Sequence, residues 1–231
     1  GVWAFADPEL RHGQSHVRNI RDAGYRTGVV GKTHLWRHGP GHAGEHKQEM
    51  QDWGFVDARE TTGPSESLLT DSLYTDHLAA RGLLDAHRQY FEMYLRGTRP
   101  YPWELPPTPL PTEDHLDVFI GRLAQEWIND RDNAEPFYLQ VNFGGPHDPW
   151  DAPHEYRSLY NPDDMPLSIH DQRTGPLSSH VELLLKHAPN KLNKMGVAQN
   201  QLLKANYYSK VTLIDDCVGG ILQTLEERNL L

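Results

Sequence analysis

The chain has 231 residues, enough for one large domain or a major part of one with a substantial core. Its 32 acidic residues outnumber 22 basic ones, a formal charge of -10 with 14 histidines neutral, and this excludes a nucleic-acid groove, which needs a net basic face. No apolar run approaches the roughly eighteen residues of a membrane span, and the single cysteine, Cys217, excludes an internal disulfide framework while leaving the redox compartment open.

In chain order, the first elements are a short helix and a strand. Ser15 is placed to cap the helix, Val17 and Ile20 share a face, and Gly24 suits a left-handed stop. The apolar run that follows predicts a buried strand from Tyr25 to Gly31, leading into Gly31-Lys32-Thr33. Those three residues suggest a phosphate loop, but that motif needs a glycine five positions before them, where Arg26 stands, and it follows a strand to open a helix. In extended chain the side chains at i and i+2 share a face, so Lys32 and His34 project together as a candidate anion site. Taken alone, the pair reads first as a solvent-facing lysine beside a histidine that caps a loop, and a second site has to decide.

Residues 36 to 112 are rich in Gly, Pro and His, with helical pieces near 75 to 81 and 83 to 95, and read as an insertion or a set of pocket-lining loops. His34, His38, His42 and His46 recur every fourth residue, but Gly39, Pro40, Gly41 and Gly44 argue against the helix that would stack them around a metal. A mobile loop near a pocket mouth is the expectation there.

Glu113 to Asn129 carries a helical stripe of Leu116, Phe119, Ile120, Leu123, Ala124, Trp127 and Ile128, with Thr112 as the expected cap. Phe137 to Phe143 then reads as a buried strand. Two helix-to-strand units predict an α/β fold, with a mainly parallel sheet sandwiched by helices. Ligands in such folds bind beyond the carboxyl ends of the strands, which here deliver Lys32 and His34 from one strand and Gly144 to Trp150 from the other. His147 joins the cationic rim, with Asp148 and Trp150 on the substrate side; as plain packing, His147 bonds Asp148 and Trp150 fills a turn. The last long helix has a stripe of Leu203, Tyr207, Val211, Ile214, Val218, Ile221 and Leu225 that predicts core packing. Asp215 and Asp216 diverge too far on a helix to share a cation, and Cys217 reads as a packed thiol.

The stretches "GYRTGVVGKTHLW", "PFYLQVNFGGPHDPWDAP" and "YYSKVTLIDDCVGGILQTLEERNLL" resemble, in family order, segments of the formylglycine-dependent sulfatases of the alkaline phosphatase superfamily. The resemblance implies an alkaline-phosphatase-like fold, in which Lys32 and His34 contact a sulfate group and His147 faces it. It also implies a formylglycine nucleophile derived from cysteine and a calcium ion that offsets charge on the sulfate oxygens. No Cys-x-Pro-x-Arg or Ser-x-Pro-x-Arg string occurs, and the expected paired aspartates and the later metal segment are missing, so no metal ligand is assigned. With Gly1 in place of an initiator Met, the expectation is an internal, incomplete piece of one sulfatase catalytic domain over residues 1 to 231, inactive in isolation. The substrate implied is a small-molecule or saccharide sulfate ester. The alternatives are a phosphonate or phosphate ester hydrolase of the same superfamily, or a catalytically silent binding module. A signal peptide upstream would make the parent periplasmic or secreted; without one it would be cytoplasmic.

Overall fold

The computed structural model describes residues 13, 15–95, 101–132, 135–168, 175–187 and 195–231. Among the described residues, a parallel sheet of three strands lies at the centre: β1 (Arg26–Lys32) runs between β3 (Asp57–Thr61) and β5 (Phe137–Asn142). A second, two-residue pairing joins β2 (Gly41–His42) to β4 (Thr70–Asp71).

Alternation along β1 explains the layers. Val29 and Val30 are both fully buried, yet they point to opposite faces and enter different cores. Val29 packs with Val17 of α1 (His16–Asp22) and with Met50 and Trp53 of α2 (Lys47–Trp53). Val30 packs with Phe119, Ile120, Ala124 and Trp127 of α5 (Leu116–Asn129), joined by Tyr74 and Leu78 of α3 (Leu73–Ala80). Helices thus cover both faces, and the predicted α/β sandwich is the fold observed. Gly28 permits the close approach on the α5 side, because a Cβ there would collide with the Trp127 ring.

The predicted core stripe of α5 is buried throughout, but the helix begins at Leu116 rather than Glu113. His115 is the cap, its Nδ1 accepting the Asp117 amide, whereas the Thr112 hydroxyl donates to Glu155. At the first helix Ser15 stands in the cap position but donates to the Trp53 carbonyl at 2.6 Å, tying α1 to α2. Strand β5 is half-buried along its length rather than buried, because among the described residues it pairs on one side only.

Two expectations are corrected. Residues 36 to 112 are not only insertion or pocket-lining loops: β3, within them, is a strand of the main sheet, alongside α3 and α4 (Leu84–Leu95). Its sequence, Asp57-Ala-Arg-Glu-Thr61, hides it because the strand is polar, with Glu60 turned inward to accept hydrogen bonds. The histidine-rich stretch within the same span is a folded turn rather than a mobile loop: His42 accepts the Gly44 amide and pairs with Asp76, and His46 stacks on Trp36 at 3.7 Å.

After two short helices, α6 (His154–Arg157) and α7 (Ser179–His187), the long helix α8 (Val197–Glu227) packs along α5, with a Cβ at Gly121 falling 3.1 Å from that of Cys217. Its buried face is also rotated from the predicted stripe. Ala205, Asn206, Ser209, Lys210, Leu213, Cys217 and Thr224 are inside, while Tyr207, Val211 and Val218 are exposed. Hydrophobicity misplaced the stripe because this interface uses small residues for close approach and one buried lysine whose charge is paired.

Candidate functional site

At the carboxyl end of β1 the chain is turned by Gly31, whose φ of +99° is open to glycine and whose missing Cβ leaves room for the Asn142 carbonyl. The next residues alternate as an extended chain should. Thr33 points inward, only 4% exposed, with its hydroxyl donated to Glu60 of β3. The same carboxylate accepts the Trp36 indole N–H at 2.7 Å. With Thr33 and Trp36 held from below, Lys32 and His34 stand on the other side.

Lys32 Nζ lies against Gly63, where an added Cβ would be 2.7 Å from it. His34 stacks on His38 with ring centroids 5.6 Å apart, and His38 meets the edge of Trp36 at 4.4 Å. Partial burial lowers the His34 pKa, and the charge of Lys32 and that of His147 lower it further, against an opposing pull from Glu66. His147 thus acts electrostatically on His34, and the two motifs, more than a hundred residues apart in sequence, follow the carboxyl ends of paired parallel strands at one edge of the sheet. His38, unassigned from sequence, belongs to the same cluster. Burial brings its pKa down to about 4, with His34 adding to the effect, so it is a neutral stacking partner. The fourfold histidine spacing is the signal in the sequence that marks this residue.

The loop after β5 presents His147 with its side chain 66% exposed. Its Nδ1 lies 2.6 Å from the Asp148 carbonyl oxygen and 3.1 Å from Asp148 Oδ1, both acceptors, so Nδ1 carries a proton and Nε2 is left for a ligand. Asp148 Oδ2 accepts the Tyr94 hydroxyl at 2.8 Å, which joins α4 to the loop. Trp150 closes the loop on itself by donating Nε1 to the Pro146 carbonyl at 3.0 Å, and its ring meets Tyr207 edge-on. Asp148 and Trp150 thus hold the loop that carries His147.

Beneath this loop is a buried polar node that sequence reading missed. Lys210 Nζ lies 2.9 Å from Asp117 Oδ2, 3.1 Å from Asp151 Oδ1 and 3.2 Å from His115 Nε2. Burial opposes ionisation of both carboxylates, but Lys210 and His115 more than offset it and hold them below the usual carboxylate range. The signal was an Asp two residues into α5 together with a Lys interrupting the last helix, but nothing local joins them. Cys217 is buried and its thiol is pushed up to about 12 by that burial, which removes it as a nucleophile.

A cavity of about 370 Å³ lies at the other end of β1, lined by Arg26, Asp57, Arg59, Trp127 and Arg131. Its arginines are compensated: Arg26 and Arg131 both meet Asp57, at 2.9 and 3.1 Å, and Arg59 meets Asp130 at 2.6 Å. The rim at Lys32 is different, since none of the described ion pairs includes Lys32 or His34. For the calcium implied by the resemblance, no group of three or more His, Cys, Asp or Glu suited to hold a metal ion occurs among the described residues. No described helix is long and apolar enough to cross a membrane.

Residues 8–231 match the sulfatase family model. The multifunctional alkaline phosphatase superfamily protein PehA of Trinickia caryophylli is 25% identical over 134 residues, 52% of this chain and 26% of that protein. An arylsulfatase of Clostridium perfringens is 23% identical over 206 residues, 89% of this chain and 41% of that one. Among solved structures, the phosphonate monoester hydrolase of Agrobacterium radiobacter superposes with a TM-score of 0.65 at 16% identity, over 99% of this chain and 49% of its own. The phosphonate monoester hydrolase SpPMH of Silicibacter pomeroyi gives 0.56 at 16% identity, over 95% of this chain and 45% of its own. The chain spans less than half the length of each of these proteins.

Proposed function

The chain belongs to the sulfatase family, and from that premise we propose that it supplies the oxyanion-binding groups for hydrolysis of a sulfate monoester. What supports the reading is that β1 and β5 end at one edge of the sheet, where Lys32 and His147 both act on His34, and that Lys32 and His34 lie outside any described ion pair. A sulfate monoester is anionic and grows more negative at the departing oxygen as the S–O bond breaks. Fixed cations in such a place stabilise the transition state by on the order of 3 kcal/mol per contact.

Each group has a distinct part. The Lys32 ammonium, set by the Gly31 turn and seated against Gly63, holds non-bridging oxygens. His34, flat on neutral His38, donates a second hydrogen bond and gains charge as the anion arrives. His147, with Nδ1 held by Asp148, presents Nε2; when protonated it delivers that proton to the leaving oxygen, which avoids expulsion of a bare alkoxide. The reading also needs a nucleophile, and these 231 residues contain no Cys-x-Pro-x-Arg or Ser-x-Pro-x-Arg string. Hydrolysis is accordingly proposed for a protein that carries this segment together with a formylglycine or comparable nucleophile and its calcium.

A phosphonate or phosphate monoester is the second reading. Similarity to two phosphonate monoester hydrolases favours it, since the same cations suit either tetrahedral anion. Titrating the chain with inorganic sulfate and with methylphosphonate, while following the His34 and His147 ring resonances, tests both. Saturable shifts of both rings, moved to higher anion concentration in the Lys32→Ala variant, support the pocket, and the tighter anion assigns the ester class. Rings that stay still at saturating concentrations of both would refute it, and turnover of an aryl sulfate by the isolated chain would refute the division of labour with an outside nucleophile.

A further inference from the structure

The node beneath the loop joins three parts of the chain that are far apart in sequence: His115 and Asp117 at the start of α5, Asp151 at the end of the loop, and Lys210 in α8. Its charged side chains are 3% exposed at Lys210, 1% at Asp117 and 6% at Asp151. The connections run to both ends of the loop. Asp117 Oδ1 accepts the Gly145 amide at 2.9 Å while Oδ2 accepts Lys210 at the same length, and Lys210 also holds Asp151. The Gly145 backbone lies directly on the node, for a Cβ there would be 2.9 Å from Lys210 Cε and from Asp117 Oδ2. His147 sits between these two tethers.

A buried ion pair of this kind stabilises little beyond what an apolar cluster of the same volume would. An apolar cluster, however, cannot give a loop backbone a direction, whereas a chain of amide, carboxylate, ammonium and carboxylate fixes both where the loop starts and where it ends. Within those ends the loop is closed by His147 on Asp148 and by Trp150 on Pro146, and Arg157 Nη2 donates to the Trp150 carbonyl at 2.6 Å. The aim of His147 Nε2 then follows from the tethers.

We propose that Lys210 is a positioning residue for His147: by gripping Asp117 and Asp151 together it sets the loop from Gly145 to Asp151 so that the imidazole faces the oxyanion held by Lys32 and His34. The claim rests on the pocket reading, and two measurements separate their failures. The main variant is Lys210→Met with Asp151→Asn, which removes one cation and one carboxylate and leaves the formal charge of the node unchanged. Asp151→Asn alone, isosteric and releasing only one end of the loop, serves if the double variant does not fold.

Sulfate titration of the whole chain is the first measurement. The double variant should bind about tenfold more weakly, the His147 ring should stop responding while His34 still shifts, and adding His147→Ala should cost nothing more. Lys210→Arg should recover most of the affinity. A loss that adds in full to that of His147→Ala, or unchanged affinity in a folded variant, overturns the proposal. Amide exchange is the second measurement and needs no ligand. The Gly145 amide and the Thr108 amide, which donates to the Asp151 carbonyl, should exchange about tenfold faster in the variant than in the wild type, while those of β1 do not change. Unchanged loop exchange overturns the tether whatever the anion does. Absence of sulfate binding in the wild type overturns the pocket reading, and the role of Lys210 towards that pocket falls with it.

Discussion

Two charged regions lie within one loop's breadth of each other and are built on opposite principles. The node of His115, Asp117, Asp151 and Lys210 is buried and its charges meet within hydrogen-bond reach. The rim of Lys32, His34 and His147 is open and gathers one ammonium and two imidazoles, with Glu66 as the opposing influence on His34. Paired charge that is sealed from water holds backbone in place, whereas charge left open to solvent is a place for a counter-ion to arrive. The loop from Gly145 to Asp151 is the seam between the two, tethered below and presenting His147 above.

Breaking the node should have the largest effect. Lys210→Met leaves two carboxylates buried without their ammonium, and losing one partner of such a cluster costs about 3–5 kcal/mol. Denaturant unfolding at pH 7 should show this as a lower midpoint with an unchanged slope. Lys32→Ala, by contrast, should leave the midpoint within about 0.5 kcal/mol, as befits a surface group outside the core. Equal losses from the two lysines would erase the distinction.

Acid should strike the buried side next. His87 is 3% exposed, its Nε2 lies 2.8 Å from the Ser67 hydroxyl, and burial brings its pKa from 6.5 down to about 4. A histidine with a depressed folded-state pKa takes up its proton more readily when unfolded. Stability should therefore fall as pH drops from about 6.5 to about 4, by roughly 3 kcal/mol from this residue, and level off below that. Asp151, whose pKa is depressed, loses its contribution in a separate window, below the ordinary carboxylate value. Unfolding measured between pH 7 and 4 should have a shallower slope in His87→Gln, and an identical slope would assign the acid lability elsewhere. At the open rim the sign reverses for ligand: sulfate affinity should rise as pH falls below the ordinary histidine value of 6.5, because burial and Lys32 lower the His34 pKa and its protonated form attracts the anion.

Lys32→Ala sharpens the comparison from the other side. Removing that charge should weaken sulfate binding about tenfold at low ionic strength and by less at high salt, since open charges are screened where buried ones are not. A titration at two salt concentrations checks it, and a salt-independent loss would mean that Lys32 is not acting as an open charge.

The difference between the regions also explains what sequence could reveal. The rim was legible because its chemistry is local: Lys32 and His34 share a face by strand parity, and β1 and β5 deliver their ends to the same edge by parallel pairing. The layers were legible for the same reason, since Val29-Val30 and the α5 stripe are apolar at the right period. Strand β3 was hidden by its polarity, and Glu60 reads as surface until Thr33 and Trp36 are seen to donate to it. The node was invisible because its members come from separate elements and a lysine in a helix normally faces water. The α8 stripe misled for a related reason: hydrophobicity marks the buried face only where the partner surface is apolar, and here the partner offers Gly121 and a carboxylate.

The smallest effect tests how far the two regions cooperate. Tyr94 donates to Asp148 Oδ2, and Asp148 in turn holds His147 Nδ1, so one neutral hydrogen bond from α4 steadies the loop from the side that the node does not reach. Tyr94→Phe removes that hydroxyl and keeps the ring in the cluster with Tyr90, Phe91 and Leu105. The cost to stability should be about 1 kcal/mol. If the node alone aims His147, sulfate affinity will be unchanged within error. If the side support matters, affinity falls about threefold, less than the effect of releasing Lys210. A fall as large as that of the node variant would make Asp148 and Tyr94 the chief support of His147, and the buried charges would then serve the fold and not the pocket.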